Sequence, residues 1–239
     1  MLDAIAKHRA QRFARVCFSA QLSQSKSPSQ ANELALPPMA AQALADLLPL
    51  LLCGEASAEL VFSGAAHKWP ESADSSFIDA LERIADDEHR HALMLASLRE
   101  QLPPPADHLA TQRAARFLRR MESRDLAVHM ARVGALDAGV CHVLAAITRP
   151  GTPPAQSPQL ARLFLLLRRD EGRHVRVSMR CAAALGLESE ATNKERRLVW
   201  QGLAKLLRPG TAALTILGAD VARLFARLDS TTDTLVTRL

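Results

Sequence analysis

Two short segments of the chain repeat one arrangement of acidic residues and histidine. Residues 87–91 read Asp-Glu-His-Arg-His, and residues 170–174 read Asp-Glu-Gly-Arg-His, so each contains the pattern Glu-x-x-His. Side chains three positions apart lie on the same face of an α-helix. Each segment can therefore direct one carboxylate and one imidazole to a common point, as a transition-metal site requires. The two pairs are Glu88 with His91 and Glu171 with His174.

An acidic residue precedes each pair at nearly the same distance. Glu55 lies 33 residues before Glu88, and Asp137 lies 34 residues before Glu171. Both acids fall in the middle of a predicted helix, which indicates two helical hairpins of similar design. Packing two such hairpins into one bundle would bring four carboxylates and two imidazoles together in its core. The predicted metal ligands are Glu55, Glu88, His91, Asp137, Glu171 and His174.

The predicted ligand set has a characteristic charge and chemical preference. Its carboxylates carry a charge of −4, which two divalent metal ions would neutralise. Without metal, each buried carboxylate would cost on the order of several kcal/mol unless it were protonated. Oxygen-rich ligation with one imidazole per ion suits iron or manganese better than zinc, copper or calcium. A single Glu-x-x-His pair is typical of a surface ion pair, but the repetition favours a metal site over a metal-free scaffold.

The repeated Asp-Glu-x-Arg-His pattern resembles that of the ferritin-like superfamily of carboxylate-bridged di-iron proteins. It is similar in particular to the bacterial di-iron monooxygenase hydroxylase subunits, and residues 54–66 are similar to the first helix of rubrerythrins. The resemblance covers about residues 39–186. It implies a four-helix bundle that binds two iron ions, with a mixed manganese and iron pair as the alternative. The ligands it implies are Glu55 and His91 for one iron, Asp137 and His174 for the other, and Glu88 and Glu171 as bridges.

The resemblance also implies roles for residues around the ligands. Metal-bound histidines usually donate their second ring N–H to a carboxylate, and Asp87 and Asp170 are the candidates. Arg90 and Arg173 lie three residues after these aspartates and could orient them by ion pairing. The alternative interpretation of all four residues is ordinary charge on a helix surface. Asp137 departs from the usual pattern, in which glutamate is more common, so its shorter side chain predicts weaker or more open binding of that ion.

Four other polar residues lie near the predicted ligands in the sequence. Glu59 is one turn past Glu55 and could be an extra ligand or could form an ion pair where the helix ends. Cys141 is one turn past Asp137 and could face the metal pocket, although a buried free cysteine usually has only a packing role. His129 and His142 are interpreted as structural residues.

Helical periodicity extends over nearly the whole chain and predicts an all-α fold, a ferritin-like four-helix bundle with extra N- and C-terminal helices. The predicted helices cover about residues 38–68, 76–101, 109–148 with a break near Ser123, 158–185, 193–207 and 211–228. We expect an N-terminal helix and polar connector over residues 1–35, packed on the bundle. The di-metal bundle itself is expected over residues 36–190, and a C-terminal helical extension over residues 191–239.

The composition excludes several other classes of protein. Of 239 residues, 48% are hydrophobic, which excludes disorder, and the net charge is +5. Four cysteines are scattered singly without a Cys-x-x-Cys motif, which excludes a disulfide scaffold and a zinc ribbon. No apolar run reaches the roughly 18–20 residues that a membrane span needs, and residues 1–20 lack the apolar core of a signal peptide. We therefore expect a cytoplasmic protein without a membrane partner.

Because tyrosine is absent, a tyrosyl-radical role like that of ribonucleotide reductase small subunits is excluded.

These observations predict a non-haem di-iron oxidoreductase, an oxygenase or oxidase that uses O₂ to hydroxylate, N-oxygenate or desaturate a small organic substrate. An electron donor such as a reductase or ferredoxin is the expected protein partner, and a homodimer is left open. One alternative is a rubrerythrin-like peroxidase or a ferroxidase, although rubredoxin-like cysteines are absent. Others are a hydroxylase of tRNA, which the lack of a clustered Lys/Arg tract disfavours, and a metal-free helical scaffold.

Overall fold

The structure is a computed structural model, and it describes residues 34–71 and 73–230. These residues form helices and no strands, so the predicted all-α class is confirmed. Residues 1–33 of the expected N-terminal helix and polar connector, and the chain end after residue 230, lie outside the described residues. The helices are α1 (Pro38–His67), α2 (Ser76–Arg99), α3 (Ala110–Met121), α4 (Leu126–Ile147), α5 (Pro153–Gln156), α6 (Pro158–Ala184), α7 (Ser189–Leu207), α8 (Thr211–Ile216) and α9 (Val221–Asp229).

The four long helices α1, α2, α4 and α6 form two hairpins. Helix α1 packs along α2, α4 packs along α6, and α2 contacts α6 between the hairpins. Helix α3 packs on α1, α7 packs on α4, and α3 also contacts α7. The two hairpins are thus joined through the pair of helices that carry the Glu-x-x-His motifs, while α3 and α7 cover the helices that carry the isolated acids.

Two apolar clusters occupy opposite ends of these four helices. One member each from α1, α2, α4 and α6 is enough to show the direction of the helices: Leu48, Leu95, Leu144 and Phe164 in the first cluster, and Phe62, Ile84, Met130 and Cys181 in the second. The order of these residues shows that α1 and α6 run in one direction and that α2 and α4 run in the other. Because α2 and α4 are parallel, the connection that contains α3 must cross from one end of the bundle to the other. Along their helices, five of the six predicted ligands lie between the two clusters, and Asp137 lies beside the first cluster, two residues after Ala135.

Helix ends in the structure refine two of the predicted boundaries. The segment predicted as one helix over residues 109–148 is divided into α3 and α4, with the break at residues 122–125, near the expected position. Asp125 begins α4, since its side chain accepts hydrogen bonds from the backbone N–H groups of Ala127 and Val128 at 2.9 and 3.2 Å. The segment predicted as one helix over residues 211–228 is α8 and α9, because Gly218 between them has φ +84° and ends the first of them.

Helix α4 is the most apolar of the long helices. By length and composition alone it could cross a membrane, since its mean hydropathy is 1.5 over an 18-residue window. This finding corrects the expectation that no segment of the chain is apolar enough to span a membrane. However, 56% of that window is buried inside the protein, and the helix carries Asp137 in the core. Burial in the centre of the bundle accounts for its apolar composition.

Candidate metal centre

The structure brings the six predicted ligands together in the middle of the bundle. One lies on α1, two on α2, one on α4 and two on α6, and none is more than 6% exposed. Their side chains form two groups in which the potential ligand atoms all lie within 4.8 Å of one another. The first group is Glu55, Glu88, His91 and Glu171, and the second is Asp137, Glu171 and His174. The buried acidic and histidine residues could therefore hold metal ions, and Glu171 belongs to both groups.

The Nδ1 atoms of both histidines face this set of carboxylates. His91 Nδ1 lies 3.1 Å from Glu55 Oε2, 3.8 Å from Glu88 Oε2 and 3.7 Å from Glu171 Oε1. His174 Nδ1 lies 3.0 Å from Glu88 Oε1 and 3.6 Å from Glu171 Oε2. Glu88 and Glu171 thus each place one oxygen near each histidine, which is the position that a bridging carboxylate needs.

The other ring nitrogens pair with aspartates across the two repeats. His91 Nε2 lies 3.4 Å from Asp170 Oδ2, and His174 Nε2 lies 3.3 Å from Asp87 Oδ2. Each aspartate therefore contacts the histidine of the other motif rather than the one four residues after it. A proton held at Nε2 by an aspartate leaves the lone pair at Nδ1 free for a metal ion.

Arginine side chains cover the outer side of these aspartates. Arg90 and Arg173 both pair with Asp87. Arg173 also lies 3.4 Å from Asp170 Oδ1, and Arg169 lies 3.3 Å from the same oxygen. Arg173 thus contacts both aspartates and connects the outer surroundings of the two histidines. The guanidinium groups hold the aspartates in place, and the neighbouring His91, Arg173 and Arg169 offset the effect of burial and lower the pKa of Asp170.

Burial and mutual repulsion perturb the ligands strongly in the metal-free protein. Burial raises the pKa of Glu55 to about 8, and the Glu88 carboxylate adds to this effect. Burial and the surrounding carboxylates also raise the pKa of Asp137 well above its usual range. Burial alone would lower the pKa of His91 and of His174, but the nearby carboxylates raise both to about 10. Without metal, the centre therefore retains protons that bound cations would displace.

Three buried ligand atoms have no hydrogen-bond partner among the described residues. They are Glu88 Oε1, Asp137 Oδ2 and His174 Nδ1. Glu88 Oε1 and His174 Nδ1 lie only 3.0 Å apart, yet they do not form a well-directed hydrogen bond. A buried polar atom without a partner costs about 1–3 kcal/mol. Glu88 belongs to the first candidate ligand group and Asp137 and His174 to the second, so metal ions held by the two groups would give these atoms partners, and the residues fit resident cations.

An apolar cavity of about 120 Å³ adjoins the carboxylate side of the centre. Helices α1, α3, α4 and α7 provide its walls, which are mostly aliphatic and aromatic. Four of the predicted ligands also line it, namely Glu55, Glu88, Asp137 and Glu171. A small molecule in this cavity would therefore lie directly against the oxygen ligands.

Sequence reasoning did not anticipate the contribution of α3 and α7 to this cavity. Phe117 of α3 and Leu203 of α7 line it. Their packing depends on two glycines inside helices: a Cβ at Gly202 would lie 2.7 Å from the Phe117 ring, and one at Gly139 would lie 2.5 Å from Leu203. Glycine at such positions was the available signal, because glycine destabilises a helix interior and is expected there mainly where a neighbouring side chain needs the space.

The remaining polar candidates from the sequence lie apart from the ligands. Glu59 is on the exposed surface, where it lies 3.3 Å from His89 Nδ1. The Cys141 thiol faces the backbone carbonyl of Arg168 at 3.6 Å, and burial raises its pKa to about 12. His142 packs edge-on against the Trp200 ring. His129 differs from these residues, because it lines the cavity.

Comparison of the chain with protein-family models, with curated proteins and with solved structures gives no match. The function of the protein has therefore to be inferred from the centre and its surroundings. Buried carboxylates, two imidazoles oriented by aspartates, and an adjoining apolar cavity are the features that any such inference must explain.

Proposed function

We propose that the protein is a ferritin-like, carboxylate-bridged di-iron oxidoreductase that uses O₂ to oxidise a small organic substrate. The observation that carries this proposal is the convergence of six buried ligands in two overlapping groups beside an apolar cavity. Glu55 and His91 would hold one iron and Asp137 and His174 the other. Glu88 and Glu171 would contact both. Such ions, when bound, would supply the redox chemistry that activates O₂.

The protein residues around the ions would control their orientation and their access to water. Asp87 and Asp170 hold the Nε2–H groups of the two histidines, so that Nδ1 faces the ions. The four carboxylates balance the charge of two divalent ions, which lowers the cost of placing those ions in the core. Apolar side chains on the cavity side exclude water and leave space for an uncharged substrate.

The apolar cavity favours an oxygenase or oxidase over the alternatives of a ferroxidase or a rubrerythrin-like peroxidase. A ferroxidase must admit hydrated iron ions to its centre repeatedly, for which a polar entry is suited. Here the space next to Glu55 and Asp137 is lined mostly by aliphatic and aromatic side chains. Such a space favours an organic substrate, so hydroxylation, N-oxygenation or desaturation remains the proposed reaction class. Iron is the proposed metal, with a manganese and iron pair as the alternative.

A basic groove between α3 and α7 fits an acidic electron donor. Its cationic residues are Arg113, Arg116, Arg120, Arg132 and Lys205. Arg113 pairs with Asp107, and Arg132 lies 2.6 Å from Glu195. The other three cations have no carboxylate partner in the described part of the chain, and no acidic residue lines the groove. Unpaired cations in one groove attract an acidic protein surface and orient it as it approaches.

The groove also lies close to the cavity. Phe117, Met121 and Leu206 line both spaces, so one layer of side chains separates them. We propose that a ferredoxin or an acidic reductase domain docks here and supplies the electrons that reduction of O₂ requires. The structure offers this surface on the same side of the bundle as the substrate space.

Metal reconstitution combined with O₂ consumption tests the proposed function. Metal-free protein titrated anaerobically with ferrous iron should bind two ions per chain and should then consume O₂ in a single turnover. Glu88→Ala and Glu171→Ala should lose the two-iron site, because each side chain lies near both histidines. Glu82→Ala, an exposed acid on α2, is the matched control and should retain both ions. Fewer than about one ion per wild-type chain, or an unchanged two-iron site in both variants, would show that the proposal is wrong.

A further inference from the structure

His129 is a half-buried histidine that lines the cavity and that the proposed chemistry does not use. It lies on α4, eight residues before Asp137, and both residues line the same cavity. Eight residues correspond to about 12 Å along an α-helix. Val133, midway between them, lines the cavity as well. The imidazole is therefore at a distance from the metal centre but lines the same cavity.

The His129 ring has an unused hydrogen-bonding atom. Its Nδ1 is buried and has no hydrogen-bond partner within residues 34–71 and 73–230. A buried nitrogen without a partner is costly, so its position beside a cavity indicates that a ligand supplies the missing hydrogen bond.

The surroundings of His129 keep its imidazole neutral. Burial lowers its pKa, and the nearby cationic side chains of Lys68 and Arg132 lower it further. The backbone of Met121 is close enough to interact with the ring and has the opposite effect. A neutral imidazole has one N–H donor and one acceptor nitrogen. When the Met121 carbonyl accepts the N–H, the other nitrogen remains as an acceptor.

We propose that His129 positions the substrate by accepting a hydrogen bond from its hydroxyl or amine group, at the end remote from the metal centre. The substrate is then an uncharged, mainly apolar molecule with one such donor, and its apolar part extends towards Glu55 and Asp137. This role for His129 rests on the proposed function, although binding of the ligand does not require iron.

The cavity volume limits the size of the apolar part. A cavity of about 120 Å³ is somewhat smaller than an engineered cavity of about 150 Å³ that accommodates benzene. A single six-membered ring or a short branched alkyl group therefore suits the space. An anionic substrate does not suit it, because five carboxylate side chains line a wall that is otherwise mostly apolar.

Phenol and toluene are suitable probes, since they have nearly the same shape and differ in a hydroxyl group. Dissociation constants of both are measured by NMR titration of the metal-free, full-length protein. The quantity of interest is the toluene-to-phenol ratio of dissociation constants, because a ratio compared between variants cancels the difference in hydration of the two probes. In His129→Leu this ratio should fall about fivefold or more relative to wild type, the effect of one neutral hydrogen bond.

Two further variants make the result specific. His108→Leu changes an exposed histidine outside the cavity and should leave the ratio at the wild-type value. His129→Gln keeps an acceptor and should retain most of the preference for phenol, so the test does not depend on the folding of His129→Leu. If the ratio is unchanged in His129→Leu, if His129→Gln loses the preference as fully as His129→Leu, or if neither probe binds to the wild type, the inference is wrong.

Iron stoichiometry, measured on the same preparations, separates this inference from the proposed function. A protein that prefers phenol through His129 but binds no iron would contradict the oxidoreductase and support the ligand site. A protein that binds two irons and shows no dependence on His129 would contradict the ligand site alone.

Discussion

Replacing Glu55 by glutamine should stabilise the metal-free protein and weaken its binding of metal. Glu55 is 6% exposed, and burial beside Glu88 raises its pKa to about 8 from 4.5. Above pH 4.5 the unfolded chain releases this proton while the folded protein keeps it, so the carboxyl group makes folding less favourable as pH rises towards 8. Glutamine has nearly the same shape, carries no titratable proton and still offers an oxygen to His91.

The size of the effect follows from the two pKa values. At pH 7 a shift from 4.5 to about 8 corresponds to about 3 kcal/mol of lost stability, which Glu55→Gln should recover. At pH 5 the same calculation gives about 1 kcal/mol, because the unfolded chain then keeps part of its protons. Three kcal/mol in a domain of this size corresponds to an increase in melting temperature of about 6–12 °C.

Chemical denaturation of metal-free wild type and variant at pH 5 and pH 7 measures this difference. Glu59→Gln is the matched control, since Glu59 lies one turn further along α1 on the exposed surface and should change the stability by less than about 0.5 kcal/mol. Metal should then stabilise Glu55→Gln less than wild type, because one ligand is weaker. A variant that is destabilised equally at both pH values would refute the reasoning, since uncompensated burial of a carboxylate would then not dominate at this position.

Four further predictions concern the ligands, their surroundings and the groove. Asp137→Glu should retain two irons with equal or higher affinity in a chelator competition, because the longer side chain restores the more common ligand. Asp87→Asn should reduce iron affinity about 10–100-fold in the same assay, since Asp87 holds His174 Nε2 and pairs with Arg173. Metal titration at pH 7 in weak buffer should release protons, as a pH electrode or indicator dye would show, and binding should weaken as pH falls. Arg116→Glu combined with Arg120→Glu should weaken binding of a plant-type ferredoxin about tenfold at low salt, measured by calorimetry, whereas the equally spaced pair Arg223→Glu and Arg227→Glu on α9 should not.

The convergence of the ligands was predictable because it depends on local geometry. Helical spacing places Glu88 and His91 on one face of α2 whatever the rest of the fold. In each hairpin the preceding acid lies at nearly the same distance along the chain, which places it beside the Glu-x-x-His pair when the two helices pack together. Helix boundaries were also predictable where a proline, a glycine or a capping aspartate marks them. Pro38 begins α1, and Gly186 follows the end of α6 with φ +88°.

The pairing of aspartates with histidines was not predictable in the same way. Asp87 and His91 are four residues apart, so spacing alone suggests a contact within one helix. In the structure Asp87 instead faces His174, and Asp170 faces His91. This exchange depends on the relative height and rotation of α2 and α6, which many apolar contacts set together. The cavity has the same origin, since it exists only where α3 and α7 cover α1 and α4.

The position of the centre between two apolar clusters explains how a chain can fold around charges that oppose folding. The clusters at the two ends of the bundle include Phe62 and Phe164, both fully buried, and neither cluster contains a ligand. Burial of each such side chain contributes about 1.5–3 kcal/mol to the free energy of unfolding, which is comparable with the cost calculated for Glu55. The two clusters contain many such side chains. The ends can therefore hold the ligand-bearing middle of the helices in register before any metal binds. Substitutions such as Glu55→Gln, which neutralise a buried ligand, should then raise the stability of the metal-free protein and lower its affinity for metal. The opposite signs of these two effects distinguish a preformed metal centre from an ordinary buried ion-pair network.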